Sequence, residues 1–177
     1  SYDGKIIRSD DIAKCFSLDE ELEFGREYGK TISELEIFSK GFYSGFIDCI
    51  IPIGENINDS KWWIIDWKSN YLSTENENKC IPKNYNYKNM KLEMIKHHYP
   101  LQAHLYLLAL HRLLKWRLKD YQPIKHLGGY VYIFIRGLGE IDKYKSVSYH
   151  DYSPGIFVGE SPIKRIKYLD GLFNNEK

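Results

Sequence analysis

The chain has 177 residues, of which 43% are hydrophobic and 28% charged, with a formal net charge of +1. That supports one domain with a single core, is too short for two of ordinary size, and is too apolar for wholesale disorder. Apolar runs such as Cys49 to Ile53 and Trp62 to Ile65 are too short to span a bilayer, and Cys15, Cys49 and Cys80 lie more than 30 residues apart, which excludes a disulfide scaffold and a four-cysteine metal site from this chain alone.

The first 40 residues form an acidic lead-in, opening on Ser1-Tyr2-Asp3 rather than Met, which reads as the start of an excised piece. With no charged-then-apolar leader and free thiols, the expected location is cytoplasmic. Ser17 to Tyr28 is expected as a short helix, with Ser17 as N-cap and Glu20 completing a capping box. Gly41 to Ile53 is rich in β-branched and aromatic residues and reads as a strand; Gly54 to Ser60 is a turn; Lys61 to Lys68 is a second strand, so the two make a hairpin. Asn70 to Asn89 is a polar loop, after which Asn89 is expected to cap a short helix running to His98. Pro100 suits the first turn of a longer helix reaching about Lys119. Tyr130 to Ile135 reads as a buried strand between glycines. Asp142 to Pro154 is irregular, Gly155 to Val158 is a short apolar run, and Ser161 to Phe173 is an amphipathic helix with Ser161 as N-cap. Charge is uneven along this order. Residues 1–78 carry eight Lys/Arg against sixteen Asp/Glu, whereas residues 79–126 carry ten against two. A basic block of that kind fits a polyanion, and equally a solvated lysine-rich face.

Two acidic residues sit among apolar strand residues. Asp48 lies within GFIDCI, and Asp66 lies between Ile65 and Trp67 with Lys68 following. Strand periodicity puts Asp66 and Lys68 on one face, and an in-register hairpin brings Asp48 near Asp66. Two close carboxylates repel unless a cation lies between them, and oxygen ligands on a rigid sheet suit Mg²⁺ or Mn²⁺. Such a metal polarises a phosphoryl oxygen and lowers the pKa of a bound water, while Lys68 orients that water or stabilises charge. A plain buried ion pair is the competing reading. The Asp/Glu-x-Lys pattern by itself carries nothing, since it recurs at Asp3, Asp59 and Glu77; context carries the signal. On the long helix, Gln102 and Tyr106 are four apart and share a face, either as phosphate-facing groups or as an ordinary polar rim and core aromatic.

The runs GFIDCI, KWWIIDWKSNYL, YPLQAHLYLLALHRLL and GGYVYIFIRGL, in that order, resemble the C-terminal nuclease domain of RecB, the beta subunit of exodeoxyribonuclease V, in the PD-(D/E)xK nuclease superfamily. The likeness covers Gly41 to Tyr71 and Tyr99 to Gly137 and returns at Gly155 to Phe173. It implies an α/β fold with a restriction-endonuclease-like core, a central mixed sheet flanked by helices, over residues 41–177. It implies that Asp48 and Asp66 are ligands of Mg²⁺ (or Mn²⁺), that the Trp67 backbone carbonyl also ligates, that Lys68 is catalytic, and that Gln102 and Tyr106 form the family's Q-x-x-x-Y pair near the scissile phosphate. It further implies DNA as substrate, double-strand-break repair as the setting, and as partners the other exodeoxyribonuclease V subunits and a strand-exchange recombinase. The family also takes a metal-binding histidine from an upstream helix, and no histidine precedes His97 here, so reduced metal affinity is expected. Two alternatives stay open: a Cas4-like or other helicase-associated exonuclease, against which the scattered cysteines argue, and a catalytically silent DNA- or recombinase-docking module.

Three further features are expected to be incidental. GREYGKT (residues 25–31) mimics a phosphate loop, but has too few residues between its glycines and no preceding strand. His97, His98, His104 and His111 read as surface or core-edge residues rather than zinc ligands. Trp62, Trp63, Trp67 and Trp116 read as core by default, with Trp62 or Trp63 a stacking platform for a base if exposed.

Overall fold

The expected hairpin is the first half of a four-stranded sheet. The computed structural model describes residues 6–35, 38–39, 45–73, 81–138 and 154–174. A two-residue ladder joins β1 (Ile7–Arg8) to β2 (Phe38–Ser39). The main sheet contains β3 (Cys49–Ile53), β4 (Lys61–Lys68), β5 (Leu127–Phe134) and β6 (Ile156–Glu160), in that order. β3 and β4 are antiparallel, β4 and β5 parallel, β5 and β6 antiparallel. The helices are α1 (Ser9–Ala13), α2 (Arg26–Ser33), α3 (Tyr87–Lys96), α4 (Tyr99–Arg117), α5 (Pro123–His126) and α6 (Ile163–Phe173). This is an α/β fold with a mixed sheet flanked by helices, consistent with a restriction-endonuclease-like core. A parallel pair cannot be closed by a hairpin, and the segment between β4 and β5 accordingly crosses over through α3 and α4. Among the described residues no helix is long and apolar enough to cross a membrane.

Alternation along the strands decides which face is covered. Ile64 and Asp66 of β4, Tyr130, Tyr132 and Phe134 of β5, and Phe157 of β6 are buried, while Ile65, Val131 and Ile133, of the opposite parity, are only partly so. Helix α4 supplies Ala103, Leu107, Leu108, Leu110 and Leu114 to the buried side, with Pro100 in its first turn as expected. The acidic lead-in joins the same core through Ile12, Phe16, Phe24, Tyr28 and Ile32.

Four local expectations change. The Ser17–Tyr28 helix is absent: a 3₁₀ turn covers Lys14–Ser17, α2 begins at Arg26, and Asp19 and Phe24 between them adopt left-handed backbone. The reason is Arg165, which is fully buried and takes the main-chain carbonyls of Leu18, Asp19, Glu23 and Phe24. A helix would have used those carbonyls internally, so the segment instead wraps the guanidinium. Second, α6 is capped not by Ser161 but by Asp19, whose Oδ2 accepts from the backbone of Lys164 at 2.8 Å and Arg165 at 3.2 Å. Third, Asn86 rather than Asn89 caps α3, its Oδ1 accepting the Asn89 N–H. Fourth, β3 begins at Cys49, leaving Asp48 one residue before it and exposed; residues 41–44 lie outside the described residues, as does most of Asp142 to Pro154. Gly25 opens α2 with no strand leading directly into it, so the GREYGKT run is an ordinary helix start.

The histidines divide by burial. His104 is wholly enclosed, more so than a core-edge position, and its Nδ1 lies 2.6 Å from the Pro100 carbonyl, so that nitrogen carries the proton. Burial, helped by the Arg165 guanidinium, pushes its pKa from 6.5 down to about 3. The folded state therefore refuses a proton that the unfolded chain accepts. Stability is complete above the unfolded value and is lost as pH falls from 6.5 toward 3, by about 1.4 kcal/mol per pH unit for one proton. In denaturant titrations between about pH 6 and 4, His104→Gln is expected to flatten that slope by about one proton. Arg165→Met is expected to destabilise the fold by about 3 to 4 kcal/mol, since it strands the four main-chain carbonyls that the guanidinium holds, read as a lower unfolding midpoint. Gly129→Ala is expected to cost about 3 kcal/mol, because φ there is 148° and a Cβ would meet the Gly159 carbonyl oxygen at 2.1 Å.

Candidate active site

The hairpin register decides what meets at the end of β4. The ladder ends with Cys49 paired to Ile65, so Asp48 and Asp66 are the next residues beyond it on the two strands, close enough for the Asp48 charge to act on Asp66. The Trp67 N–H donates to Asp48 Oδ2 at 3.0 Å, so Trp67 turns its backbone toward the β3 side. In a strand, a residue's N–H and C=O point the same way, which aims the Trp67 carbonyl at that side too. The Trp67 indole goes to the other face of the sheet and is half exposed.

Asp66 is buried, and Lys68, two residues on, lies on the same face with its Nζ 2.5 Å from Asp66 Oδ1. That contact is close in charge terms but lies off the direction of a hydrogen bond, so Oδ1 is a buried acceptor without an aligned protein donor. Burial lifts the Asp66 pKa above the usual carboxylate range; Lys68 opposes the shift and the nearby Asp48 charge adds to it. The Lys68 ammonium also donates to Gln102 Oε1 at 3.0 Å. Gln102 in turn donates from Nε2 to the Tyr106 hydroxyl, 3.0 Å away, as the four-residue spacing on α4 allows. Thus Asp48, Asp66, Trp67, Lys68, Gln102 and Tyr106 lie in one connected group spanning the sheet and the start of α4.

The structure adds residues to this group that the sequence did not single out. The Tyr132 hydroxyl reaches both Gln102 Oε1 and the Tyr99 carbonyl, each at 3.0 Å. The Lys68 ammonium lies over the Tyr99 ring, 3.9 Å from its centroid, and 5.0 Å from that of Tyr132. The Tyr99 hydroxyl donates to Asn70 Oδ1 at 3.0 Å, and Asn70 donates to Glu93 at 2.8 Å. Burial raises the pKa of Tyr99, Tyr106 and Tyr132, so all three hydroxyls remain protonated donors. Local signals for them existed. Tyr99 precedes Gln102 by one helical turn, Asn70 continues the parity of Asp66 and Lys68, and Tyr132 has the strand parity of buried Tyr130 and Phe134; only the parallel register, which pairs Asp66 with Tyr132, ties that parity to the site.

The donor set suits a hard divalent cation. It is made of oxygen: one buried carboxylate with an unserved oxygen, one exposed carboxylate, and a main-chain carbonyl on the same side. Among the described residues no three His, Cys, Asp or Glu side chains gather where they could share an ion. Mg²⁺ commonly takes only one or two carboxylates and leaves its other positions to water and phosphate, so two remain compatible. Beside the group, Phe46, Ile47, His98, Leu105 and Tyr106 line a groove of ≈ 600 Å³ whose rim includes Gln102. The exposed tryptophans are Trp67 and Trp116, not Trp62 or Trp63, so the latter two offer no stacking platform.

No family model matches the chain. Curated relatives do. The RecBCD enzyme subunit RecB of Mycolicibacterium smegmatis is 40% identical over 137 residues, covering 77% of this chain and 12% of the relative. The subunit of the same name from Buchnera aphidicola subsp. Schizaphis graminum is 41% identical over 102 residues, 58% of this chain and 8% of the relative. That from Escherichia coli K12 is 35% identical over 99 residues, 56% and 8% respectively. In each case the matched region is about a tenth or less of the relative's length. The chain belongs to the RecB family, as a homologue of a small part of that subunit consistent with its C-terminal nuclease domain.

Proposed function

We propose that the chain is a metal-dependent deoxyribonuclease domain that hydrolyses DNA phosphodiester bonds in the cytoplasm. In this reading it serves an ATP-dependent helicase–nuclease of the exodeoxyribonuclease V type in double-strand-break repair and recombination. The observation that carries it is the meeting of a buried and an exposed carboxylate, a desolvated ammonium and a Gln–Tyr pair at one end of β4. The relatives' name, RecBCD enzyme subunit RecB, supports assembly with further subunits of such an enzyme. Docking of a strand-exchange recombinase extends the same resemblance.

Asp48, Asp66 and the Trp67 carbonyl would hold Mg²⁺ or Mn²⁺. The metal, when bound, supplies Lewis acidity toward a phosphodiester oxygen and makes an attacking water more acidic. The rest falls to the chain's own residues. Lys68 holds a positive charge on the dry side of the site, where developing negative charge on phosphorus-bound oxygens is stabilised far more than in water. Tyr106 accepts from Gln102, which leaves its own proton free to donate toward a phosphate in the groove. Gln102 thereby orients both the hydroxyl and the ammonium. Phe46, 90% exposed beside the groove, offers a face on which a base can stack. The basic stretch over residues 79–126, which includes α3 and α4, favours the DNA backbone.

The direct test is Mg²⁺-dependent cleavage of single-stranded DNA by the wild-type chain and by Asp66→Ala. The variant is expected to lose at least about 100-fold in rate; equal rates in the two would leave only the DNA-docking role. Isothermal titration with Mn²⁺ should give a binding signal that disappears in Asp66→Ala, and undiminished binding would remove the metal from these carboxylates. Lys68→Met is expected to lower kcat by about 100- to 1000-fold with little change in DNA affinity.

A further inference from the structure

The ammonium of Lys68 is held on four sides, and two of them are aromatic. We propose that Tyr99, backed by Tyr132, is a positioning residue for Lys68: the electron-rich faces of the two rings fix the ammonium at the place where the scissile phosphate must lie. This rests on the reading of Lys68 as the cation of a phosphodiesterase.

A lysine is a point charge on a long, flexible stem, and rotamer entropy opposes keeping it in one place. Here the side chain is only 11% exposed, which deprives the ammonium of water and puts a cation over a ring face in the stronger range of that interaction. The rings are themselves immobilised. They stack on each other with centroids 5.6 Å apart and planes 10° from parallel. The Tyr99 hydroxyl is tied to Asn70, which Glu93 holds. The Tyr132 hydroxyl bridges the Tyr99 carbonyl and Gln102 Oε1. Of the ammonium's polar neighbours, the Asp66 carboxylate is also the one a divalent cation would claim. The ring faces and Gln102 would not be claimed by a cation on the carboxylates, so they hold Lys68 independently of Asp66. Two residues, the first of α4 within the crossover and Tyr132 on β5 after it, thus act through a third on β4.

The experiment uses the 177-residue chain with position 99 carrying phenylalanine and then mono-, di- and trifluorinated phenylalanine, a series of nearly one shape and falling electron density at the ring face. The phenylalanine member tests the Asn70 tie and is expected to lose about threefold in kcat. Along the fluorinated members kcat is expected to fall stepwise, by about tenfold in all, with KM for DNA and the melting temperature constant. A flat series overturns the positioning role. A second reading is independent of turnover. The Cε protons of Lys68, identified by their loss in Lys68→Arg, should resonate upfield from the ring currents, and should return downfield in Tyr99→Leu; unshifted protons in the wild type also overturn it. Should the wild type cut DNA no faster than Asp66→Ala, the nuclease reading falls and takes the proposal with it. If it cuts and the series is flat, the nuclease stands and only the clamp falls.

Discussion

A carboxylate taken out of water must be given a counter-charge, and the site is organised around that demand at Asp66. Its neighbours on the strand are apolar, α4 covers it, and its pKa rises in consequence. The two-residue period of the strand supplies Lys68 on the same face, 2.5 Å away. Yet the pair is incomplete: one oxygen of Asp66 lacks an aligned donor, and the exposed Asp48 approaches from the hairpin partner. An ion pair built for stability alone would be closed by hydrogen bonds on every side. This one keeps a buried carboxylate oxygen that no aligned protein donor meets.

The surrounding structure can be understood as the means of holding Lys68 still. The parallel pairing of β4 with β5 brings Tyr132 across from Asp66, and the crossover through α3 and α4 returns Tyr99 and Gln102 over the same point. The tie from Asn70 to Glu93 extends that support to α3. The same device appears elsewhere in the molecule with a purely architectural outcome. Arg165 is buried and gathers four main-chain carbonyls, so a cation organises the acidic lead-in around itself. The difference lies in the partners: Arg165 is met by four main-chain oxygens, Lys68 by two polar side chains and two rings.

Much of this was legible in the order of residues. The strand at Lys61–Lys68, the turn before it, the long helix with Pro100 in its first turn and a strand through Tyr130–Phe134 follow from alternation, turn chemistry and proline placement, each a property of a few consecutive residues, although β5 starts earlier, at Leu127, and takes in the two glycines expected to precede it. The same-face relations of Asp66 with Lys68 and of Gln102 with Tyr106 follow from strand and helix periods. What misled was also local. SLDEELEFGREY has the composition of a helix, but its carbonyls are claimed by a guanidinium 141 to 147 residues away in the chain; Ser161 looks like a cap, but Asp19 fills that place from a distant segment.

By itself, then, the order of residues determined the elements, the pairs that share a face, and the family whose motifs they match. The tertiary structure alone decided that β4 and β5 run parallel, that Asp48 sits just outside its strand in water while Asp66 is dry, and that Tyr99, Tyr132 and Asn70 surround Lys68. The physical reason is range: periodicity and capping act over a few residues, whereas desolvation and the enclosure of a charge depend on which distant segments the core brings against it.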